Sequence, residues 1–278
     1  MTVKDRTTLL HLLMIAPGVL TLGAFFLVPL GSVLVEAGRE HALARFFGSA
    51  DLLDALLRSV VLGVSAGLVA LIVGVPVALH LSRMSPRARA VLQVLIALPL
   101  TFSGLIVAYG FILVLGRAGF VTLLLAELGA DPATVSSLLY GPFGLVLAYV
   151  YYLSPRVILL LLPVLTNFDQ RQLQAAESLG ASRIRALADI LLPQLAPTLF
   201  SAFCLVSAVA IGTYGTALAL VGTQINILPL RLYGMVSDAG ADFPLAAATS
   251  VVLLVVCTLV MGVSEFVAAS TEGRHARH

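Results

Sequence analysis

Long stretches without a charged residue or a histidine dominate the pattern of apolar and polar positions. Six of them contain at least 20 residues: 12–35, 59–79, 90–116, 132–155, 190–230 and 243–264. A helix needs about 20 residues to cross the hydrocarbon core, and backbone groups in lipid must bond one another internally. The pattern therefore predicts an all-α membrane protein with six transmembrane helices. A β-barrel would show alternating segments of about 10 residues.

Three of these stretches predict helices with particular boundaries. The stretch 190–230 has room for two short helices, but we interpret it as one helix over 191–221 followed by a polar loop. The fourth helix is expected to run from near Gly141 to about Leu165. Pro99 lies in the middle of the third helix and predicts a kink there, because proline lacks the N–H that continues the hydrogen-bond ladder.

The basic residues are distributed unevenly between the two sides of the membrane. Six helices place both termini on one side, and the inside segments then hold ten of the sixteen basic residues: Lys4, Arg6, Arg83, Arg87, Arg89, Arg171, Arg183, Arg185, Arg274 and Arg277. The outside loops hold four: Arg39, Arg45, Arg117 and Arg231. Because cytoplasmic loops carry the excess of Lys and Arg, both termini are expected to be cytoplasmic.

The inside segment 166–189 is longer than a connection needs. It is rich in helix-forming residues and is broken only by Gly180. This pattern predicts a helix–turn–helix on the cytoplasmic face. Small residues at Ala175, Ala176 and Ser178 would let the backbone of another protein come close, so the segment has the properties of a docking element.

Composition excludes several classes of protein. Hydrophobic residues make up 60% of the 278 residues and charged residues 11%, whereas a soluble domain carries about 25% charged residues. The mean hydropathy is +1.06. The single lysine, Lys4, has no Gly-rich loop before it, so the chain has no P-loop of its own for ATP. A net charge of +2 is too small to indicate nucleic-acid binding.

The docking segment also carries a longer motif. Gln174-Ala175-Ala176 is followed by Gly180 after three residues and, after nine more, by Ile190-Leu191-Leu192-Pro193. This order resembles the signature of ABC importer permeases, which reads E-A-A, three residues, G, nine residues, I-x-L-P. The chain departs from the signature at Gln174, where the family has glutamate, so the salt bridge of that glutamate is not expected here.

The resemblance extends from about Leu56 to Glu265 and implies the type I ABC importer permease fold. That fold has six transmembrane helices and a cytoplasmic coupling helix between helices 4 and 5. Other family-like segments are Arg58-Ser59, Gly74-Val75-Pro76, Leu81-Ser82-Arg83, Leu98-Pro99-Leu100 and Gly212-Thr213-Tyr214-Gly215-Thr216. Within the family, the chain is most similar to permeases for polyamines, aminoethylphosphonate, ferric iron or thiamine. The segment 226–233 favours the polyamine and aminoethylphosphonate types.

The resemblance implies a non-catalytic subunit in the cell (inner) membrane. Its partners would be a second permease, identical or related, two cytosolic ABC ATPase subunits and an extracytoplasmic solute-binding protein. ATP and Mg²⁺ would be held by the ATPases, so no cofactor is expected in this chain, and no nucleic acid is expected as a partner. The residues that the motif assigns to ATPase docking and coupling are Gln174, Ala175, Ala176, Leu179, Gly180, Ile190, Leu192 and Pro193.

The resemblance also implies a division of the chain. Residues 1–55 would form an N-terminal transmembrane helix with an extracytoplasmic loop. Residues 56–265 would form the importer transmembrane domain, with five helices and the coupling loop 166–189. Residues 266–278 would form a cytoplasmic tail.

Polar side chains within the apolar stretches are candidates to line the transport path: Ser103, Tyr109, Tyr149, Arg156, Thr213 and Tyr214. Charges at lipid depth usually face a cavity or a partner. Arg156 either meets an anionic group or bonds backbone carbonyls exposed by Pro155. A tyrosine hydroxyl in lipid needs a partner, and its ring can hold an amine, but packing between helices explains such residues equally well.

An ion-coupled secondary transporter is the main alternative. Such a carrier would need carboxylates inside the membrane and internal repeats, and the middle of the predicted spans contains neither Asp nor Glu. An intramembrane enzyme is disfavoured further, because no Ser/His pair, paired Asp or metal-ligand cluster lies within the spans.

Overall fold

A computed structural model describes residues 14–222, 224–237 and 241–275. Helices make up nearly all of this part of the chain. In chain order they are α1 (Met14–Ala37), α2 (Ala42–Gly48), α3 (Ala50–Ser82), α4 (Pro86–Thr101), α5 (Gly104–Leu115), α6 (Phe120–Glu127), α7 (Pro132–Leu139), α8 (Pro142–Asn167), α9 (Arg171–Ser178), α10 (Arg183–Ala186), α11 (Leu192–Gly212), α12 (Gly215–Val221), α13 (Leu228–Ser237) and α14 (Phe243–His275).

Six segments of the described chain are long and apolar enough to cross a membrane. They are Met14–Ala37, Ala50–Ser82, Gly104–Glu127, Pro142–Asn167, Arg183–Gly212 and Phe243–Val267. Large apolar side chains such as Phe25 and Leu113 are exposed along them, because lipid tails are as apolar as these side chains. The predicted all-α fold with six membrane spans is confirmed.

The third predicted helix, 90–116, is divided in two. Pro99 lies in the last turn of α4, where it cannot donate the next ladder hydrogen bond. Phe102 is extended, and α5 then starts with Ser103 as its N-cap, whose hydroxyl accepts from the N–H of Ile106. The kink predicted at Pro99 is therefore a full break in the helix.

The fifth predicted helix, 191–221, is also interrupted. A π-helical turn, Leu187–Leu191, precedes α11. The chain leaves the helix at Thr213, where the backbone is extended, and resumes as α12. The polar loop expected after residue 221 is short, because α13 begins at Leu228 with Pro229 in the first turn, where a missing N–H costs nothing.

Two compact units make up the chain, and α8 lies at the centre of the larger one, which comprises Asp54–Arg231 and Leu253–His278. Half of α8 is buried, including Leu145, Val157 and Leu161. It packs against α4, α5, α11 and α12. Because lipid supplies no hydrophobic force between helices, this centre depends on close side-chain packing.

Two glycines let α3 approach α11 closely. A Cβ atom on Gly63 would overlap the Ile211 side chain and lie 2.9 Å from the carbonyl oxygen of Ser207, and a Cβ on Gly67 would overlap the Ser207 hydroxyl. Glycines four residues apart are a known device for close helix contact in membranes. The spacing of Gly63 and Gly67 is visible in the sequence, but the partner helix is visible only in the structure.

The smaller unit comprises Met1–Leu53 and Leu232–Val252. Its described core is a cluster of alanines: Ala37, Ala42, Ala247 and Ala248. An ion pair between Arg45 and Asp242 joins α2 to the start of α14. Asp242 also accepts from the N–H of Leu245 as a helix cap. The hydrogen bond from Arg45 holds the pKa of Asp242 below its usual range.

The division of the chain predicted at residues 55/56 and 265/266 stays a prediction. Residues 276–278 of the predicted tail lie outside the described residues.

Gly63→Ala is expected to destabilise the protein by about 1–3 kcal/mol, because an added methyl group in a tightly packed contact forces the backbone to shift. Gly262→Ala is the matched control, since nothing lies within 4 Å of its Cβ position, and alanine is a better helix former than glycine. Thermal unfolding in detergent would measure both variants. Equal stability of the two variants would contradict the close contact between α3 and α11.

Candidate functional site

The two interruptions of the transmembrane helices lie side by side. Helices α5 and α12 pack against each other, and each begins at a break. A Cβ on Gly104 would overlap the Thr216 hydroxyl, and a Cβ on Gly215 would lie 3.8 Å from the backbone of Leu105. Discontinuous helices are where many transporters form their solute sites. The paired break, defined as residues 102–104 and 213–215, is our candidate solute site.

Tyr149 stabilises the paired break from α8. Its hydroxyl donates a hydrogen bond of 2.9 Å to the carbonyl of Thr213, and its side chain is 1% exposed. The Thr213 hydroxyl donates to the carbonyl of Val209 at 2.6 Å. Because a broken helix leaves carbonyls that lipid cannot satisfy, Tyr149 supplies a donor that the backbone has lost. The ring of Tyr149 is buried within the protein and does not line an open path.

The other candidate pathway residues are more accessible. Tyr109 and Tyr214 are 55% and 48% exposed, Ser103 is exposed and Thr213 is half-buried. Thr216, which our sequence analysis did not single out, has a buried hydroxyl without a hydrogen-bond partner among the described residues. A Thr beside a glycine carries no sequence signal by itself, since only the packing of α5 on α12 brings Thr216 to Gly104.

Arg156 lies in α8 and is half-buried. Its Nη1 and Nη2 atoms donate to the carbonyl and the hydroxyl of Tyr152, each at 3.3 Å. The guanidinium carbon also lies 4.7 Å from the centre of the Tyr152 ring. These contacts occupy two of the five N–H donors of an arginine. No carboxylate of the described residues forms an ion pair with Arg156.

A cavity of about 750 Å³ lies at the C-terminal ends of α5 and α12, beside α7. We call it the outer pocket, since the predicted topology places these helix ends outside the cell. Its polar lining residues are Arg117, Ser136, Ser137, Tyr140 and Gln224, and none of the described lining residues is acidic. The size is that of a pocket for a small ligand.

The predicted docking segment folds as a helix–turn–helix. Helix α9 ends in a left-handed residue, Gly180, with φ of +89°. The N–H of Gly180 donates to the carbonyl of Glu177, and the N–H of Ala181 to that of Ala176, both at 3.0 Å. This is the Schellman helix end, which favours glycine because glycine has no Cβ.

Two large apolar side chains are exposed beside this turn: Leu179 is 89% exposed and Ile184 is 81% exposed. No residue of α9 is buried, so Gln174 and Ala175 are open to a partner. The remaining signature residues lie further along the chain, with Ile190 in the π-helical turn, and Leu192 and Pro193 at the start of α11.

The described residues contain no group of three or more His, Cys, Asp or Glu side chains that could hold a metal ion.

Comparison with known proteins identifies the family to which the chain belongs. Residues 68–272 match the family model of the binding-protein-dependent transport system inner membrane component. The chain belongs to this family of ABC importer permeases, so the family predicted from the docking motif is confirmed.

Among named proteins, the chain is 32% identical to a probable molybdenum ABC transporter permease of Haloferax volcanii, over 84% of this chain and 83% of that protein. It is 27% identical to the spermidine/putrescine transport system permease protein of Escherichia coli, over 75% of each chain.

Among solved structures, the fold is similar to that of a bacterial ABC transporter involved in the import of the acidic polysaccharide alginate. The TM-score is 0.74 at 18% identity, with 96% of both chains covered. A structure of a bacterial alginate transporter in complex with a pentasaccharide-bound periplasmic protein gives a TM-score of 0.71, also at 18% identity, over 94% of this chain and 93% of that one. These similarities confirm the importer permease fold.

Tyr149→Phe is expected to lower the stability of the folded protein by about 1–3 kcal/mol, because the Thr213 carbonyl would be left without its donor. Tyr151→Phe is the control, since the Tyr151 ring is 52% exposed and its edge contact with Phe111 survives the change. Unfolding in detergent compares the two variants. An equal loss of stability in both variants would contradict a stabilising hydrogen bond from Tyr149 to the Thr213 carbonyl.

Proposed function

We propose that this permease subunit carries a small oxyanion into the cell, delivered by an extracytoplasmic binding protein. The observation that carries the proposal is Arg156, a charged side chain in the middle of the span Pro142–Asn167. A buried cation costs roughly 2.5–3.5 kcal/mol on insertion scales. Tyr152 offsets part of this cost, and a passing anion would bind the N–H donors that Tyr152 leaves free.

The outer pocket supports the same class of solute. Arg117 lines it and forms no ion pair with a carboxylate of the described residues. By contrast, Arg39 and Arg45 on the same predicted side pair with Glu36 and Asp242. An arginine with hydroxyl and amide neighbours suits an oxyanion, because its planar fork matches two oxygens at once.

The relatives point to two kinds of solute, an oxyanion and a polyamine. The segment 226–233 favours a polyamine or an aminoethylphosphonate, and the spermidine/putrescine relative supports the polyamine. The molybdenum relative has the higher identity and covers more of the chain, and molybdenum dissolves in neutral water as the oxyanion molybdate. A phosphonate is also an oxyanion, whereas a polyamine would meet Arg156 as a like charge. The charges therefore favour the oxyanion.

The proposed assembly follows the family. A second permease, identical or related, completes the path, and two cytosolic ATPases bind ATP and Mg²⁺. One of the ATPases docks on the turn after α9, where Leu179 and Ile184 are exposed apolar side chains and Ala175 and Gly180 leave room for its backbone. The membrane is the cell membrane, with both termini in the cytoplasm. An ion-coupled carrier gains no support, since the middle of the described spans has no carboxylate.

Uptake by the complete importer in proteoliposomes tests the solute. We expect ATP-dependent uptake of molybdate or of a small phosphonate, and none of spermidine. Arg156→Gln should reduce this uptake at least tenfold, since it removes the charge that meets the anion. Arg87→Gln, at an exposed cytoplasmic residue, removes the same charge elsewhere and should leave uptake intact. Uptake of spermidine without uptake of an oxyanion would refute the proposal.

Gly180→Val should abolish stimulation of the ATPases by the binding protein while the permease still inserts. Nothing of the chain lies within 4 Å of the Cβ position, so the effect arises from the positive φ, which a β-branched residue adopts at a high cost. Gly180→Asn, which tolerates this conformation, should retain more of the stimulation. Wild-type coupling in the valine variant would show that this turn is not the docking element.

A further inference from the structure

One side-chain hydrogen bond joins the docking helix directly to a transmembrane helix. The amide nitrogen of Gln194 donates to the amide oxygen of Gln172 at 2.8 Å, across 22 residues of sequence. Gln172 lies in the first turn of α9, and Gln194 lies in the first turn of α11. Both side chains are exposed, so the bond lies on the surface of the predicted cytoplasmic face.

The covalent route between the same two helices is longer and contains a turn and a local widening of the helix. From α9 it passes through the turn at Gly180, the single turn of α10 and the π-helical turn Leu187–Leu191. A π-turn is a local widening of the helix that is frequent at functional sites. Pro193 then removes one further N–H from the ladder at the start of α11. The hydrogen bond between Gln172 and Gln194 connects α9 with α11 without passing through this route.

Helix α9 also contacts α10 and the π-helical turn Leu187–Leu191, but its side chains form few hydrogen bonds with other helices. None of its residues is buried, and the Ser178 hydroxyl bonds within α9, to the carbonyl of Gln174. Among the described residues, Gln172 carries the one α9 side chain that is hydrogen-bonded to a different helix.

We infer that Gln172 and Gln194 form a strut that transmits the movement of α9 to α11 past the π-turn. The inference rests on the proposed docking of the ATPases at the turn after α9. At its other end α11 reaches Gly212, next to the paired break at Thr213. Movement carried by the strut would therefore arrive at the candidate solute site. Both residues are positioning residues, because neither touches solute or nucleotide.

A double-mutant cycle in the complete importer tests the strut. Gln172→Leu, Gln194→Leu and the double variant are assembled with the second permease, the ATPases and the binding protein. Each single variant should retain the ATPases but lose at least fivefold in binding-protein-stimulated ATP hydrolysis. The double variant should lose no more than either single variant, since both changes remove the same bond.

An ion pair in place of the amide–amide hydrogen bond should rescue the stimulated ATP hydrolysis. Gln172→Glu combined with Gln194→Lys replaces the acceptor by a carboxylate and the donor by an ammonium group, and it should restore at least half of the stimulated hydrolysis. Gln93→Leu removes an amide from α4 and should leave the stimulation unchanged. Normal stimulation in the single leucine variants, or losses that add up in the double variant, would overturn the strut.

The stimulation of ATP hydrolysis tests the strut independently of the proposed solute. Stimulation of ATP hydrolysis by the binding protein does not depend on which solute the binding protein carries. A complex that imports a solute other than an oxyanion, yet shows the expected double-mutant cycle, would refute the proposed solute and leave the strut standing.

Discussion

The constraint on which this structure depends is that a backbone inside a membrane must satisfy its own hydrogen bonds. A continuous helix does so without help, but this chain has two helix breaks at the ends of candidate spans, before Gly104 and at Thr213. The breaks lie side by side, and Tyr149 donates to the carbonyl that the second break exposes. A third helix therefore stabilises the break at Thr213, and the breaks expose polar backbone atoms that an unbroken helix would use in its own hydrogen bonds.

The second physical theme is the scarcity of charge inside the membrane. Arg156 lies in the middle of the span Pro142–Asn167, and its aromatic neighbour Tyr152 contacts it through a carbonyl, a hydroxyl and the ring face. Such an arrangement stabilises the cation without neutralising it. The positive charge of Arg156 is therefore kept within the membrane. We propose that this charge attracts an anionic solute and repels a cationic one.

To use the energy of ATP hydrolysis by the proposed ATPases, the permease needs a mechanical connection from the docking helix α9 to its transmembrane helices, as well as a docking surface. The turn at Gly180 leaves Leu179 and Ile184 exposed for the proposed docking. The chain beyond it contains a π-turn before α11 begins at Leu192, and Pro193 lies in the first turn of α11. The hydrogen bond between Gln172 and Gln194 offers a shorter path from the docking helix to the helix that leads to the paired break.

The sequence by itself determined the membrane class, the six spans and the docking motif, because hydrophobic length and short-range spacing are written in consecutive residues. Tertiary structure alone decided the helix break at Ser103, the pairing of that break with Thr213, and the role of Tyr149. In the sequence, Pro99 allows either a kink or a break, and the outcome depends on the local cap Ser103 together with neighbours such as Thr216 that come from another helix. Contacts between residues far apart in the chain leave no periodic signal, so they had to be read from the packing.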